Sequence, residues 1–185
     1  MNVVARPMLH ATRVPGHLLA CMQFVLYCML PCAVAAAELK LWTGGSPPAL
    51  NLKDLDGGPH RLADYRGRVV LVNFWATWCG PCRDEMPSMQ RLKEKLAGRP
   101  FAVLAVNLDE PESRIRNFLA QVKVDFTILL DPGRNAARAW DARIIPASFV
   151  VGPDGRVRYS VVGEINWDNE HVVSRISELL PAGRN

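Results

Sequence analysis

Val69-Val70-Leu71-Val72-Asn73-Phe74-Trp75 is the stretch that most limits what this chain can become. It carries one polar side chain among β-branched, aliphatic and aromatic ones. It lacks the alternation of a strand with one wet face and reads as a strand covered on both sides. Such a strand lies inside a sheet, with packing layers above and below it. The residues after it narrow the choice further. Cys79-Gly80-Pro81-Cys82 comes after a short turn, and then Met86, Met89, Leu92 and Leu96 recur at helical spacing up to Gly98, with Pro87 expected to kink the helix near its first turn. A strand, a turn bearing two cysteines and a helix form one unit.

The rest of the chain supplies the partners of that unit. Residues 49–53, the turn Asp56-Gly57-Gly58 and residues 60–62 read as a small hairpin. Residues 101–108 read as a second buried strand. Pro111 opens a helix on which Ile115, Phe118, Leu119 and Val122 share a face. A strand at 126–130, a short helix at 135–140, and strands at 148–151 and 156–162 joined by Gly152-Pro153-Asp154-Gly155 come next. Asp168 is placed to cap a last helix with Val172, Val173, Ile176, Leu179 and Leu180 on its apolar stripe, ending at Pro181. The expected class is α/β, a mixed sheet flanked by helices. There is no internal repeat and no low-complexity tract.

The ends of the chain change the cysteine arithmetic. Residues 1–17 contain Arg6 and Arg13 and no acid, and residues 18–37 are apolar except for Gln23. Pro31 and the small residues at 33–37 fit a cleaved export signal with its cut before Glu38. A retained anchor is the competing reading, since 20 apolar residues just span the ~30 Å hydrocarbon core. A lipobox at Leu18-Leu19-Ala20-Cys21 is disfavoured because it precedes the apolar run. Residues 38–48, rich in Gly, Ser and Pro, read as a spacer, and 49–185 as one domain. Removal of 1–37 takes away Cys21, Cys28 and Cys32 and leaves Cys79 and Cys82, with 20 basic residues against 18 acidic. That near-neutral balance, without a charged block, gives no support to nucleic-acid binding.

A pair of cysteines that opens a helix sits at the positive end of the helix dipole, where free backbone N–H groups favour a thiolate. Cys79 is then the nucleophile, with its pKa drawn below that of a free thiol, and Cys82 the resolving thiol. Other readings of the pair are weaker. A structural bridge closing so short a loop adds little, a zinc site needs two further ligands, and haem attachment needs His where Arg83 stands. A peroxidatic cysteine is disfavoured by Ala76, where peroxide reductases carry Thr or Ser.

The run Phe74-Trp75-Ala76-Thr77-Trp78-Cys79-Gly80-Pro81-Cys82 resembles the active site of the thioredoxin superfamily. With Leu52, Asp54, Gly57 and Leu62 in the hairpin, Glu85 and Pro87 after the cysteines, the inserted helix around 115–122, Pro146 before a strand and Gly152-Pro153-Asp154-Gly155, residues 48–180 resemble its exported TlpA/ResA-like branch, which includes the DsbE/CcmG proteins. The resemblance implies a three-layer thioredoxin-like sandwich with an N-terminal hairpin extension and one inserted helix. It also implies a cis bond at Ile145-Pro146, facing the cysteines, and a substrate-facing surface formed by Trp78, Gly80, Pro81, Ile145 and Pro146. Trp75 is expected in the core, His60 and His171 on the surface, and Asp109-Glu110-Pro111-Glu112 at a helix cap.

Thioredoxin has a buried Asp where this chain has Asn73, so another group must carry the proton. Glu85 stands ~60° from Cys82 around the helix axis and ~120° from Cys79, which couples it to the resolving cysteine. The family resemblance implies a proton-transfer role for it. The function so implied is an exported thiol-disulfide oxidoreductase that reduces specific proteins in cytochrome c or copper-centre maturation. It would work as a monomer in the periplasm or on the outer face of the cytoplasmic membrane, reduced in turn by a membrane thiol reductase. Its redox-active disulfide would be its only redox group, with no cofactor and no metal. A Cu(I) metallochaperone using the same two sulfurs, or a general disulfide oxidase or isomerase, are the alternatives.

Overall fold

The computed structural model describes residues 37–182. The leader read at residues 1–37 therefore lies, but for Ala37, outside the described residues. Eight strands and four helices follow in the order β1 (Lys40–Leu41), β2 (Asn51–Asp54), β3 (Pro59–Arg61), β4 (Val69–Trp75), α1 (Gly80–Lys95), β5 (Phe101–Leu108), α2 (Glu112–Leu119), β6 (Thr127–Asp131), α3 (Asn135–Ala139), β7 (Ala147–Val151), β8 (Val157–Val162) and α4 (Glu170–Ser177). All eight strands form one sheet in the order β1-β8-β7-β4-β5-β6-β2-β3. The strands β4, β5 and β6 run parallel, and every other pairing is antiparallel. The protein is an α/β sandwich with a mixed sheet, as its thioredoxin-like pattern predicts.

Every residue of β4 is buried, because β7 and β5 flank it and helices cover both faces. The expected hairpin forms as β2 and β3 and joins the sheet through β6. Within the stretch read as a spacer, Lys40–Leu41 pairs with β8 and the Trp42 ring meets Phe149 edge-on at 5.7 Å. Side chains alternate between two cores. One, beneath α1, α2 and α4, contains Leu71, Trp75, Met86, Met89, Ile115, Trp167 and Ile176. The other, beneath α3, contains Val70, Val72, Phe74, Trp140 and Phe149.

Four expectations need correction. The helix α2 stops at Leu119, so Val122 packs against the core from beyond the helix rather than on it. Asn169, not Asp168, caps α4 through its side chain, accepting from the His171 N–H, because Asp168 is engaged by Arg91 at 2.8 Å. His60 is half-buried rather than a free surface residue. Its Nε2 meets Asp54 Oδ2 and its Nδ1 meets the Tyr65 hydroxyl, each at 2.7 Å, and the first of these bonds holds the Asp54 carboxyl below its usual pKa. The acidic run at 109–112 caps no helix, since Pro111 occupies the N-cap of α2 and no side chain caps it. Pro87 lies inside α1, which continues to Lys95.

Candidate active site

Where β4 ends, the Cys79 N–H donates to the Ala76 carbonyl at 3.2 Å and closes a turn that delivers Cys79 to the N-cap of α1. A Pro in the first turn suits a helix start, where the missing N–H is not needed. Cys79 and Cys82 are joined in a disulfide, and the Cys82 N–H points at Cys79 Sγ from 3.2 Å. That donor would stabilise a thiolate on Cys79 once the bond is reduced. Cys79 is 6% exposed and Cys82 is fully buried, so an incoming sulfur reaches only Cys79.

The surface around Cys79 is apolar and open. Trp78 beside it is 58% exposed, and Gly80 and Pro81 are exposed as well. A Cβ on Gly80 would meet nothing, so glycine there leaves the approach to the disulfide clear. Ile145-Pro146 is a cis peptide bond, and the Ile145 carbonyl oxygen lies 3.8 Å from Cys79 Sγ. Ile144, one residue earlier, is 69% exposed. The structure thus gathers Trp78, Gly80, Pro81, Ile145 and Pro146 about one sulfur.

Glu85 lies one turn beyond Cys82 on α1 and is 1% exposed. Its Oε1 accepts from Asn73 Nδ2 at 2.7 Å and its Oε2 from Trp167 Nε1 at 3.1 Å. The Asn73 amide also donates to Ser148 Oγ at 2.8 Å, its cross-strand partner on β7. Burial pushes the Glu85 carboxyl up to about 7, while the donors Trp167 and Asn73 pull it back. A carboxyl half-ionised near neutral pH can both take and return a proton. Asn73, the counterpart of the thioredoxin Asp, is thus a donor to the acid rather than the acid itself.

A second buried carboxylate escaped the sequence reading. Glu110, with a side chain only 4% exposed, accepts from the Thr77 N–H at 2.7 Å, the Thr77 hydroxyl at 2.6 Å and Asn107 Nδ2 at 2.8 Å. It clamps the turn that presents Trp78 and Cys79. Asp109, also expected at a cap, instead accepts from the Gly133 N–H at 2.8 Å. On the same side of the site, Phe118 of α2 packs against Trp75 at 5.5 Å, with Arg83 over its ring. Trp75 is in the core, as expected. Among the described residues, no group of three or more His, Cys, Asp and Glu side chains gathers as metal ligands would.

Residues 43–160 match the AhpC/TSA family. The thiol-disulfide oxidoreductase ResA of Geobacillus thermodenitrificans (strain NG80-2) is 33% identical over 138 residues, which span 75% of this chain and 78% of that protein. ResA of Bacillus subtilis (strain 168) is 33% identical over 139 residues, with the same coverage of each. Among solved structures, a Chlorobium tepidum crystal structure assigned as the thiol:disulfide interchange protein DsbE superposes with a TM-score of 0.69 at 35% identity, over 76% of this chain and 99% of that one. The expectation drawn from the nine-residue run around Cys79 and Cys82 therefore holds. The chain belongs to the AhpC/TSA family of thioredoxin-like proteins and is, within it, a thiol-disulfide oxidoreductase of the ResA/DsbE-like kind.

Proposed function

We propose that this protein reduces disulfides of specific exported proteins at the outer side of the cytoplasmic membrane. The candidate substrates are cysteine pairs that must be reduced before haem attachment or copper-centre assembly. The protein would be re-reduced by a membrane thiol reductase. The observation that carries the reading is the pairing of an accessible Cys79 with a buried Cys82 and, one turn beyond it, a buried Glu85. The names of its ResA and DsbE relatives support the class of reaction, and the apolar leader of residues 18–37 supports export.

In the reduced protein, the Cys79 thiolate attacks one sulfur of the substrate disulfide. A bond forms between Cys79 Sγ and that sulfur, and the other substrate sulfur leaves as a thiolate and takes a proton. Cys82 then gives its proton to the Glu85 carboxylate and attacks Cys79 Sγ. The mixed disulfide breaks, the Cys79–Cys82 bond forms, and the second substrate sulfur leaves and is protonated. Two electrons pass from the protein to the substrate, and the proton held on Glu85 is free to return to solvent. The Glu85 carboxylate accepts from Asn73, Trp167 and the Ile165 backbone N–H, which leaves lone-pair capacity for the Cys82 proton.

Gly80-Pro81 between the cysteines is the thioredoxin dipeptide, so the pair is expected to poise nearer to about −270 mV than to the about −120 mV of a strong oxidant. A potential near the second value, measured by equilibration with glutathione, would overturn the reductase direction. Cys82→Ser in the native compartment should strand the Cys79 mixed disulfide, and the captured proteins should carry haem-attachment or copper-site cysteine pairs. Capture of only unrelated secreted proteins would argue for a general isomerase instead.

A further inference from the structure

Besides the exposed pairing of Asp168 with Arg91, a buried residue fastens the loop between β8 and α4 onto the active-site helix. Trp167 is fully buried. Its indole N–H donates to Glu85 Oε2 at 3.1 Å, and its backbone N–H donates to Ser88 Oγ at 3.0 Å. The Ser88 hydroxyl in turn donates to the Glu85 carbonyl at 2.7 Å. Side chain and main chain of Trp167 thus grip the same turn of α1.

The groups that face Glu85 can be named element by element. Asn73 faces it from β4 and Ser148 stands behind Asn73 on β7. The loop contributes Trp167, the Ile165 backbone N–H and the charge of Glu164. On the helix of Glu85 itself, Cys82 stands one turn before it, and the Ser88 hydroxyl bonds its backbone carbonyl. Like the Ile165 N–H, the indole N–H is a donor only. It can bond a carboxylate oxygen and can accept nothing from a carboxylic acid, so it favours the ionised form. Without it, Oε2 would lose its side-chain partner in a buried place.

We propose that Trp167 is a positioning residue for the resolving step: its indole N–H favours the carboxylate form of Glu85 that takes the Cys82 proton, against the burial that disfavours it, and makes that form depend on the loop at residues 163–169. The proposal rests on the reading of Glu85 as proton acceptor, and the experiment separates the two. The full chain, Glu85→Gln, Trp167→Phe and the double variant would be loaded at Cys79 with a mixed disulfide to a small thiol, and the rate of resolution followed against pH.

In Trp167→Phe the ring volume is largely kept and the donor is lost, so the pH limb set by Glu85 should move upward. A move of about one pH unit from near neutrality lowers the ionised fraction at pH 7, and with it the resolution rate, about five-fold. Attack by Cys79 on a fresh disulfide should be unchanged. The double variant should be no slower than Glu85→Gln alone. If Glu85→Gln removes the limb and Trp167→Phe leaves it in place, the role of Trp167 is wrong and that of Glu85 stands. If Glu85→Gln leaves the limb in place, the reading of Glu85 fails and this proposal with it. Should Trp167→Phe not fold, the ¹H–¹⁵N resonance of the Trp167 indole decides: it should titrate with the limb in the unaltered protein and not in Glu85→Gln. An indole resonance flat across that range in the unaltered protein overturns the proposal.

Discussion

The two faces of the central sheet are built from the same strands and differ in what they bury. Toward α1, α2 and α4, strand β4 sends Leu71, Asn73 and Trp75, and β7 sends Ser148 and Val150. Toward α3, the same strands send Val70, Val72 and Phe74, and Ala147, Phe149 and Val151. The first face spends burial on an Asn, a Ser and a Glu, and the disulfide sits at its edge. The second is an aromatic cluster in which Phe149 lies 5.0 Å from Trp140 and 6.1 Å from Phe74. A buried polar group costs stability unless it is bonded, so a fold places such groups where chemistry needs them and packs the other side with carbon. The face beneath α3 is there to be stable, and that stability tolerates an acid on the other.

The largest effect should come from breaking the apolar face. Phe149→Ala removes a ring that meets Trp42, Phe74 and Trp140, and should cost about 3–5 kcal/mol in denaturant unfolding. Below the unfolding transition, the pH dependence of disulfide turnover should stay as it was. A shifted pH profile in a folded Phe149→Ala protein would show that the two faces are not independent.

The polar face should reveal itself through pH. The folded protein raises the Glu85 carboxyl from 4.5 to about 7, so the fold favours its protonated form. The stability this contributes is fully present below pH 4.5 and is lost as pH rises through about 7. At about 1.4 kcal/mol per pH unit, the loss is on the order of 3 kcal/mol. Glu85→Gln cannot ionise, so the oxidised protein should lose about that much stability relative to Glu85→Gln between pH 4.5 and pH 8. Equal slopes of the two unfolding free energies against pH would mean that Glu85 is not held as a buried acid.

These contrasts were unequally legible in the sequence. Periodicity placed β4, α1 and β5 and the order of their neighbours, because their signals are local: a run of seven buried residues, a helical stripe of Met and Leu, a turn between two strands. Cys79, Cys82, Trp78 and Glu85 were legible for the same reason, all lying within one turn and the helix after it. The cradle of Glu85 was not. Its donors come from β4 and from a loop 82 residues away, and no spacing rule joins Trp167 to Glu85. Asp168 and Asn169 illustrate the limit at closer range. Either is a good cap, and the choice was made by Arg91 of α1, which is distant in sequence and takes Asp168.

Glu110 lies beyond that limit too, 33 residues from the Thr77 that it clamps, and it gives the smallest of the three tests. Its carboxylate accepts three hydrogen bonds and donates none. In Glu110→Gln the amide oxygen can keep the bonds from the Thr77 N–H and Asn107 while the NH₂ turns to the Thr77 hydroxyl, so three charge-assisted bonds become neutral ones, a loss of about 1–3 kcal/mol. The loosened turn should also slow the first step, because Cys79 is delivered by the turn whose first central residue Glu110 holds. The resolving step should keep its pH midpoint, since Glu110 bonds the turn and not the Glu85 cradle. The two buried carboxylates would then divide the reaction between them, Glu110 acting on the attack by Cys79 and Glu85 on the release by Cys82. Rapid-mixing measurement of both steps in Glu110→Gln checks that division, and a displaced midpoint in the second step would merge the two sites into one.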